Sequence, residues 1–142
     1  MIRPYFIIVF LLFITAKTQA QFGFEQQENT ENPSSWEASV EKKSDSIFTV
    51  KITAQVDEGW HLPSQTKLKK GENGPIPTEF NFEFDSEVLE KLGTTQEPKG
   101  ITKFDEIFKT DLTYFENEAA FEQDFRIKTE EGSLDLEILF MI

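Results

Sequence analysis

The sequence predicts an all-β fold, an antiparallel sandwich of two sheets, on three observations. Apolar residues recur at every second position in several short runs, the spacing that lines one face of a strand. Clusters of Gly, Pro, Asp, Asn and Ser separate those runs. Past the leading apolar segment, no helical stripe is long enough for a strand–helix–strand crossover. Six or seven such strands, each with one polar face, fit two sheets that each keep one side in water. The chain has 142 residues, the size of one domain, and 15 Phe with which to build a core.

Met1 to Ala20 reads as a secretory signal. Arg3 supplies a positive start, Tyr5 to Ala16 is apolar apart from Thr15, and Thr18-Gln19-Ala20 sets small residues where a cleavage enzyme reads. The run is shorter than the ~20 residues of a spanning helix, and Lys17 interrupts it, which disfavours an uncleaved anchor. The expectation is a periplasmic or secreted protein with no membrane insertion after cleavage. Gln21 to Ser35 is polar and closes on Asn-Pro-Ser-Ser, a flexible lead-in. The folded domain is expected over 36–142.

Trp36, Ala38 and Val40 alternate with polar residues and open the first strand. After a turn at Ser44-Asp45-Ser46, five apolar positions from Phe48 to Val56 alternate with Thr49, Lys51, Thr53 and Gln55, the clearest strand in the chain. Asp57-Glu58-Gly59 ends it. A short segment, Trp60-His61-Leu62, is closed by Pro63, and Lys67 to Pro77 is a loop by its Lys, Gly and Pro content. Phe80, Phe82 and Phe84 alternate again. Asp85 to Leu92 suits a single helical turn capped by Asp85 or Ser86 and stopped at Gly93. Thr94 to Pro98 is extended, and Pro98-Lys99-Gly100 is a turn. A strand surrounds Tyr114. Ala119, Phe121, Phe125 and Ile127 mark the next, with Gln123 as the polar exception on its inner face. Glu130 to Ser133 reads as a hairpin turn into a last strand carrying Leu134, Leu136, Ile138 and Phe140.

Composition excludes several functions. Asp and Glu number 26 against 14 Lys and Arg, for a net charge of −12. Nucleic-acid binding needs a basic face and is not expected. The chain has no Cys, hence no disulfide, thiolate metal site or thiol nucleophile, and one His rules out a His-rich zinc site. No cofactor, metal ligand set or catalytic residue is assigned. Asp57-Glu58-Gly59 lacks the spacing of a calcium loop and reads as a turn. His61 has no attached nucleophile motif and reads as a structural or surface residue. Trp36 and Trp60 suit core or edge anchors, and Lys67, Lys69 and Lys70 suit a solvated loop. No motif selects a carboxylate pair for glycoside hydrolysis.

Three stretches, DEGWHLPSQ (Asp57–Gln65), GPIPTEFNFE (Gly74–Glu83) and EPKGITKFDEIFKTDLTYFENEAAF (Glu97–Phe121), carry a resemblance. Together they resemble the N-terminal periplasmic domain of the DsbD family of thiol:disulfide interchange proteins, in its Bacteroidetes-type form. The resemblance runs from Trp36 to Ile142. It implies an immunoglobulin-like sandwich and an electron-relay role. Such a domain passes reducing equivalents from a thioredoxin-like domain to periplasmic thiol oxidoreductases, cytochrome c maturation factors among them. It also implies a cap loop at Phe104, Asp105, Glu106, Ile107 and Phe108, whose apolar side chain shields a thiolate. The lid is Phe104, Ile107 or Phe108.

The chain departs from the family at Leu139-Phe140-Met141-Ile142, where the resembling sequences continue into two redox Cys and a closing strand. As written it is redox-inactive and its last strand lacks a neighbour, an edge open to self-association. The expectation is a reading frame stopped at a Cys-like codon, by a nonsense change, a misassigned frame, or a UGA decoded as selenocysteine. The alternative is a non-catalytic immunoglobulin-like binding or interaction module.

Overall fold

A computed structural model describes residues 32–129 and 131–142. The segment read as a secretory signal and residues 21–31 of the expected lead-in lie outside these residues. Nine strands form among the described residues, with no helix. They are β1 (Ser34–Lys42), β2 (Ile47–Val56), β3 (Leu62–Pro63), β4 (Glu79–Phe84), β5 (Leu89–Gln96), β6 (Ile101–Asp105), β7 (Thr110–Phe115), β8 (Glu118–Ile127) and β9 (Leu134–Leu139).

One layer is a four-stranded sheet in the order β1-β2-β8-β5. The other layer is made of two smaller sheets, β3-β7-β6 and β4-β9. All pairings are antiparallel. The two small sheets are tied where β3 ends and β4 begins. There Thr78 donates its hydroxyl to the Pro63 carbonyl at 2.6 Å and its amide to the Ser64 carbonyl at 3.3 Å. The chain is therefore an all-β antiparallel sandwich.

The period-two pattern of β2 and β8 explains the core. Val50, Ile52, Ala54 and Val56 on β2 and Ala119, Phe121 and Phe125 on β8 are buried. Phe121 and Phe125 are 0% exposed, and burying each contributes about 1.5–3 kcal/mol. The β4 phenylalanines meet them from the opposite layer. Phe80 lies 4.8 Å from Phe121, and Phe82 and Phe84 lie 5.2 and 5.4 Å from Phe125, centroid to centroid. Phe115 of β7 meets Phe121 edge-on at 5.5 Å. Trp36 closes one end, 5.1 Å from Phe140.

Five expectations are corrected. The lead-in stops before Ser35, because Ser34 already pairs with Val56. The segment 85–92 does not form a helical turn through Leu92. Asp85 closes one tight turn, its carbonyl taking the amides of Val88 and Leu89, and its carboxylate taking that of Glu87. From Leu89 on, pairing with β8 draws the backbone into β5. Gly93 is not a stop either. It sits within β5 at φ +66°, where the β5–β8 register shifts, a conformation costly for other residues. Pro98 to Gly100 is irregular rather than a turn, and Gly100 lies so near β7 that a Cβ there would stand 3.0 Å from the Tyr114 carbonyl oxygen. Lastly, β8 and β9 are not a hairpin. Both edges of β8 are occupied, by β2 and β5, so β9 crosses to the other layer and pairs with β4.

Candidate functional site

The segment expected to form a loop over 104–108 is the end of one strand and the tip of a hairpin. Phe104 and Asp105 close β6, and a tight turn over 106–109 leads into β7. β6 escapes notice in the sequence because four of its five residues are exposed, so no apolar alternation marks it. Its cross-strand partners on β7 define it instead, from Ile101 opposite Tyr114 to Asp105 opposite Thr110.

Asp105 shapes the tip. Its carboxylate accepts the amides of Ile107 and Phe108, both at 2.8 Å, and its carbonyl accepts that of Lys109 at 2.7 Å. Asp does this readily because its short side chain reaches its own backbone two and three residues on. Lys109 takes φ 57°, which lets the strand reverse, and its ammonium pairs with Glu106 at 2.7 Å. Asp105 and Glu106 thus build the turn, and the apolar side chains are left to face outward. Phe104 is 55% exposed and Ile107 85%.

A groove of about 360 Å³ lies beside this hairpin. Phe104 and Phe108 line it, together with Met141, Ile142, Tyr114 and His61. Ile107 stands at the tip and is not among the lining residues. Of the three residues read as alternative lids, two therefore face the groove and one faces solvent.

The polar groups here were not expected as a set. His61 Nε2 and Glu116 Oε1 are 3.0 Å apart, and the imidazole meets the Tyr114 ring at 4.5 Å between centroids. The Lys103 ammonium lies 5.8 Å from the Tyr114 ring centroid. Tyr114, foremost, holds the Lys103 pKa above its ordinary 10.5. His61 precedes β3 and Tyr114 sits on β7, and the pairing of Pro63 with Tyr114 brings them together. No spacing in the sequence signals this, since the register of a two-residue strand sets it.

The other residues singled out in the sequence take structural places. Asp57-Glu58-Gly59 is a turn, with the Trp60 amide bonded to the Asp57 carbonyl at 3.0 Å. Trp36 joins the core and Trp60 is 47% exposed. Lys67 pairs with Glu79 at 3.3 Å, at the surface. Searches of family models, curated proteins and solved structures returned no match to this chain.

Proposed function

We propose that the chain is a DsbD-type N-terminal module that meets thioredoxin-like domains and periplasmic thiol oxidoreductases at the groove beside the β6–β7 hairpin. One observation supports this reading above the others. The hairpin sets exposed apolar side chains, Phe104 and Phe108, against the stretch ending in Met141 and Ile142. In the resembling family the redox cysteines come directly after that stretch, under an apolar cap. The chain holds no Cys. Thiol–disulfide exchange needs an attacking thiolate and a disulfide sulfur, so it does not run on these residues alone. What the groove offers is recognition. Aromatic walls bury a partner's apolar surface, and Lys103, Tyr114 and His61 give polar contacts at its side.

The test is calorimetric titration with a reduced thioredoxin-like domain. The chain is expected to bind it, and a variant carrying Phe104→Ser and Phe108→Ser to bind at least about tenfold more weakly. No binding, or binding that the double variant keeps, removes the relay reading and leaves the second one, a non-catalytic immunoglobulin-like binding module.

A further inference from the structure

The loop between β3 and β4 contains Lys69-Lys70-Gly71-Glu72-Asn73-Gly74-Pro75. Its first part is a closed turn. The Glu72 amide donates to the Lys69 carbonyl at 3.0 Å, the Glu72 carboxylate accepts the Lys69 amide at 2.9 Å, and Gly71 takes φ +95°. Asn73 follows this turn directly and is exposed. Among the described residues, neither its side chain nor the Gly74 amide has a hydrogen-bond partner.

Packing calls for the glycine. Gly74 is half-buried, and a Cβ there would overlap Leu68 Cδ1 and stand 3.4 Å from Leu112 Cδ2. The same missing Cβ leaves the Gly74 nitrogen unshielded and its backbone free to turn. An asparagine before such a nitrogen carries its own electrophile, the carboxamide carbon, within ring-closing reach. The other asparagines of the described residues are protected. Asn32 precedes Pro33, whose nitrogen has no proton to lose. Asn81 lies within β4, opposite Glu137 of β9. After Asn117, the Glu118 amide is engaged by the Glu116 carbonyl at 2.7 Å.

We propose that Asn73 is a site of spontaneous modification, converting in the folded protein to isoaspartate and aspartate. The Gly74 nitrogen, deprotonated, attacks Asn73 Cγ. The N–Cγ bond forms, the Cγ–Nδ2 bond breaks, and ammonia leaves, carrying a proton in place of the one the nitrogen lost. Water then opens the succinimide. Breaking the N–Cγ bond gives aspartate. Breaking the bond from that nitrogen to the Asn73 carbonyl carbon gives isoaspartate, whose main chain runs through Cγ. Either product makes the net charge of −12 more negative by one. Isoaspartate also inserts a methylene into the main chain ahead of Gly74, which displaces Gly74 from Leu68 and Leu112. Pro75, the next residue, lines the groove beside the hairpin, so the change reaches that groove. The site stands whether or not a thioredoxin-like partner binds there.

The full chain is aged in mildly alkaline buffer below its unfolding temperature. Ion exchange follows the added charge, and electron-transfer fragmentation of its peptides separates isoaspartate from aspartate. The expected result is a first-order conversion at Asn73, faster at higher pH, with isoaspartate among the products. An isoaspartyl methyltransferase should label the aged chain and not the fresh one. Asn73→Gln must close a larger ring and should convert at least about tenfold more slowly. Amide exchange over 66–74 should be faster in the isoaspartyl form than in Asn73→Asp, which has the charge without the methylene. Asn73 staying intact in the folded chain, while the same stretch converts as a free peptide, overturns the proposal. So does earlier conversion at Asn81 or Asn117, or aspartate formed without isoaspartate. Equal exchange in the isoaspartyl form and in Asn73→Asp overturns the displacement of Gly74.

Discussion

Gln123 is the polar residue that the inner face of β8 accommodates at 1% exposure. Its amide nitrogen donates to the carbonyls of Leu92 and Asp124, at 2.8 and 2.9 Å, and its oxygen accepts from the Thr95 hydroxyl at 3.0 Å. It thereby serves the irregular part of β5, where the ladder to β8 shifts. Gln123→Leu keeps the bulk and strands those partners. Denaturant unfolding should show a loss of about 1–3 kcal/mol. Asp124, its neighbour, points the other way. It accepts from Lys43 at 2.8 Å and from the Thr49 hydroxyl at 2.6 Å. The Lys43 bond first, then that of Thr49, hold its carboxyl below the ordinary 3.8. A depressed carboxylate stabilises the fold above its unfolded value and loses that contribution as pH falls through the folded one. Asp124→Asn should therefore be less stable than the native chain at neutral pH. Unfolding curves at stepped pH should show the gap closing below 3.8. At the hairpin tip, Ile107 is 85% exposed. Ile107→Asp, outside the groove, should leave stability within about 0.5 kcal/mol and the affinity for a thioredoxin-like partner unchanged in calorimetric titration, whereas Phe104→Ser, in the groove, should weaken that affinity.

At the level of elements, Gly93 shows how a bulge is held. Its φ of +66° within β5 is open to Gly and strained for others, although no atom lies within 4 Å of a Cβ there. Gly93→Ala should cost about 1–2 kcal/mol through backbone conformation alone, read as a lowered thermal midpoint. The strands with a buried face, β2, β4, β8 and β9, were legible because alternation is what burial on one side of a sheet demands. β6 was not legible, since Ile101, Lys103 and Phe104 are all exposed and leave no period to read. Leu89 to Leu92 misled for a different reason. A capping Asp85 before an apolar spacing suits a helix locally, and pairing with β8 overrides it. The segment 104–108 was singled out by resemblance alone, since no pattern in its residues marks it. The assembly of His61, Lys103 and Tyr114 depends on strand register across distant segments, which local sequence does not encode.

For the whole molecule, charge and open edges act against each other. A net charge of −12 keeps copies apart while apolar inner faces stay within reach of solvent. That balance shifts near the sequence pI of about 4.5. Light scattering at low salt should report a single small species at pH 7 and growing assemblies as the pH approaches that value, because neutralised edges pair. Antiparallel β9 also couples the far end of the fold to its middle, with Glu79 beside Leu139 and Phe84 beside Leu134. During synthesis β9 is made after the other eight strands. Until it arrives, β4 has no strand partner among the described residues, and Phe80, Phe82 and Phe84 rest on β8 without the cover of Leu134, Leu136 and Ile138. Closing so long a loop is entropically slow. The nascent chain thus passes through an interval in which its most aromatic strand is incompletely sheltered and open to pairing with neighbouring chains.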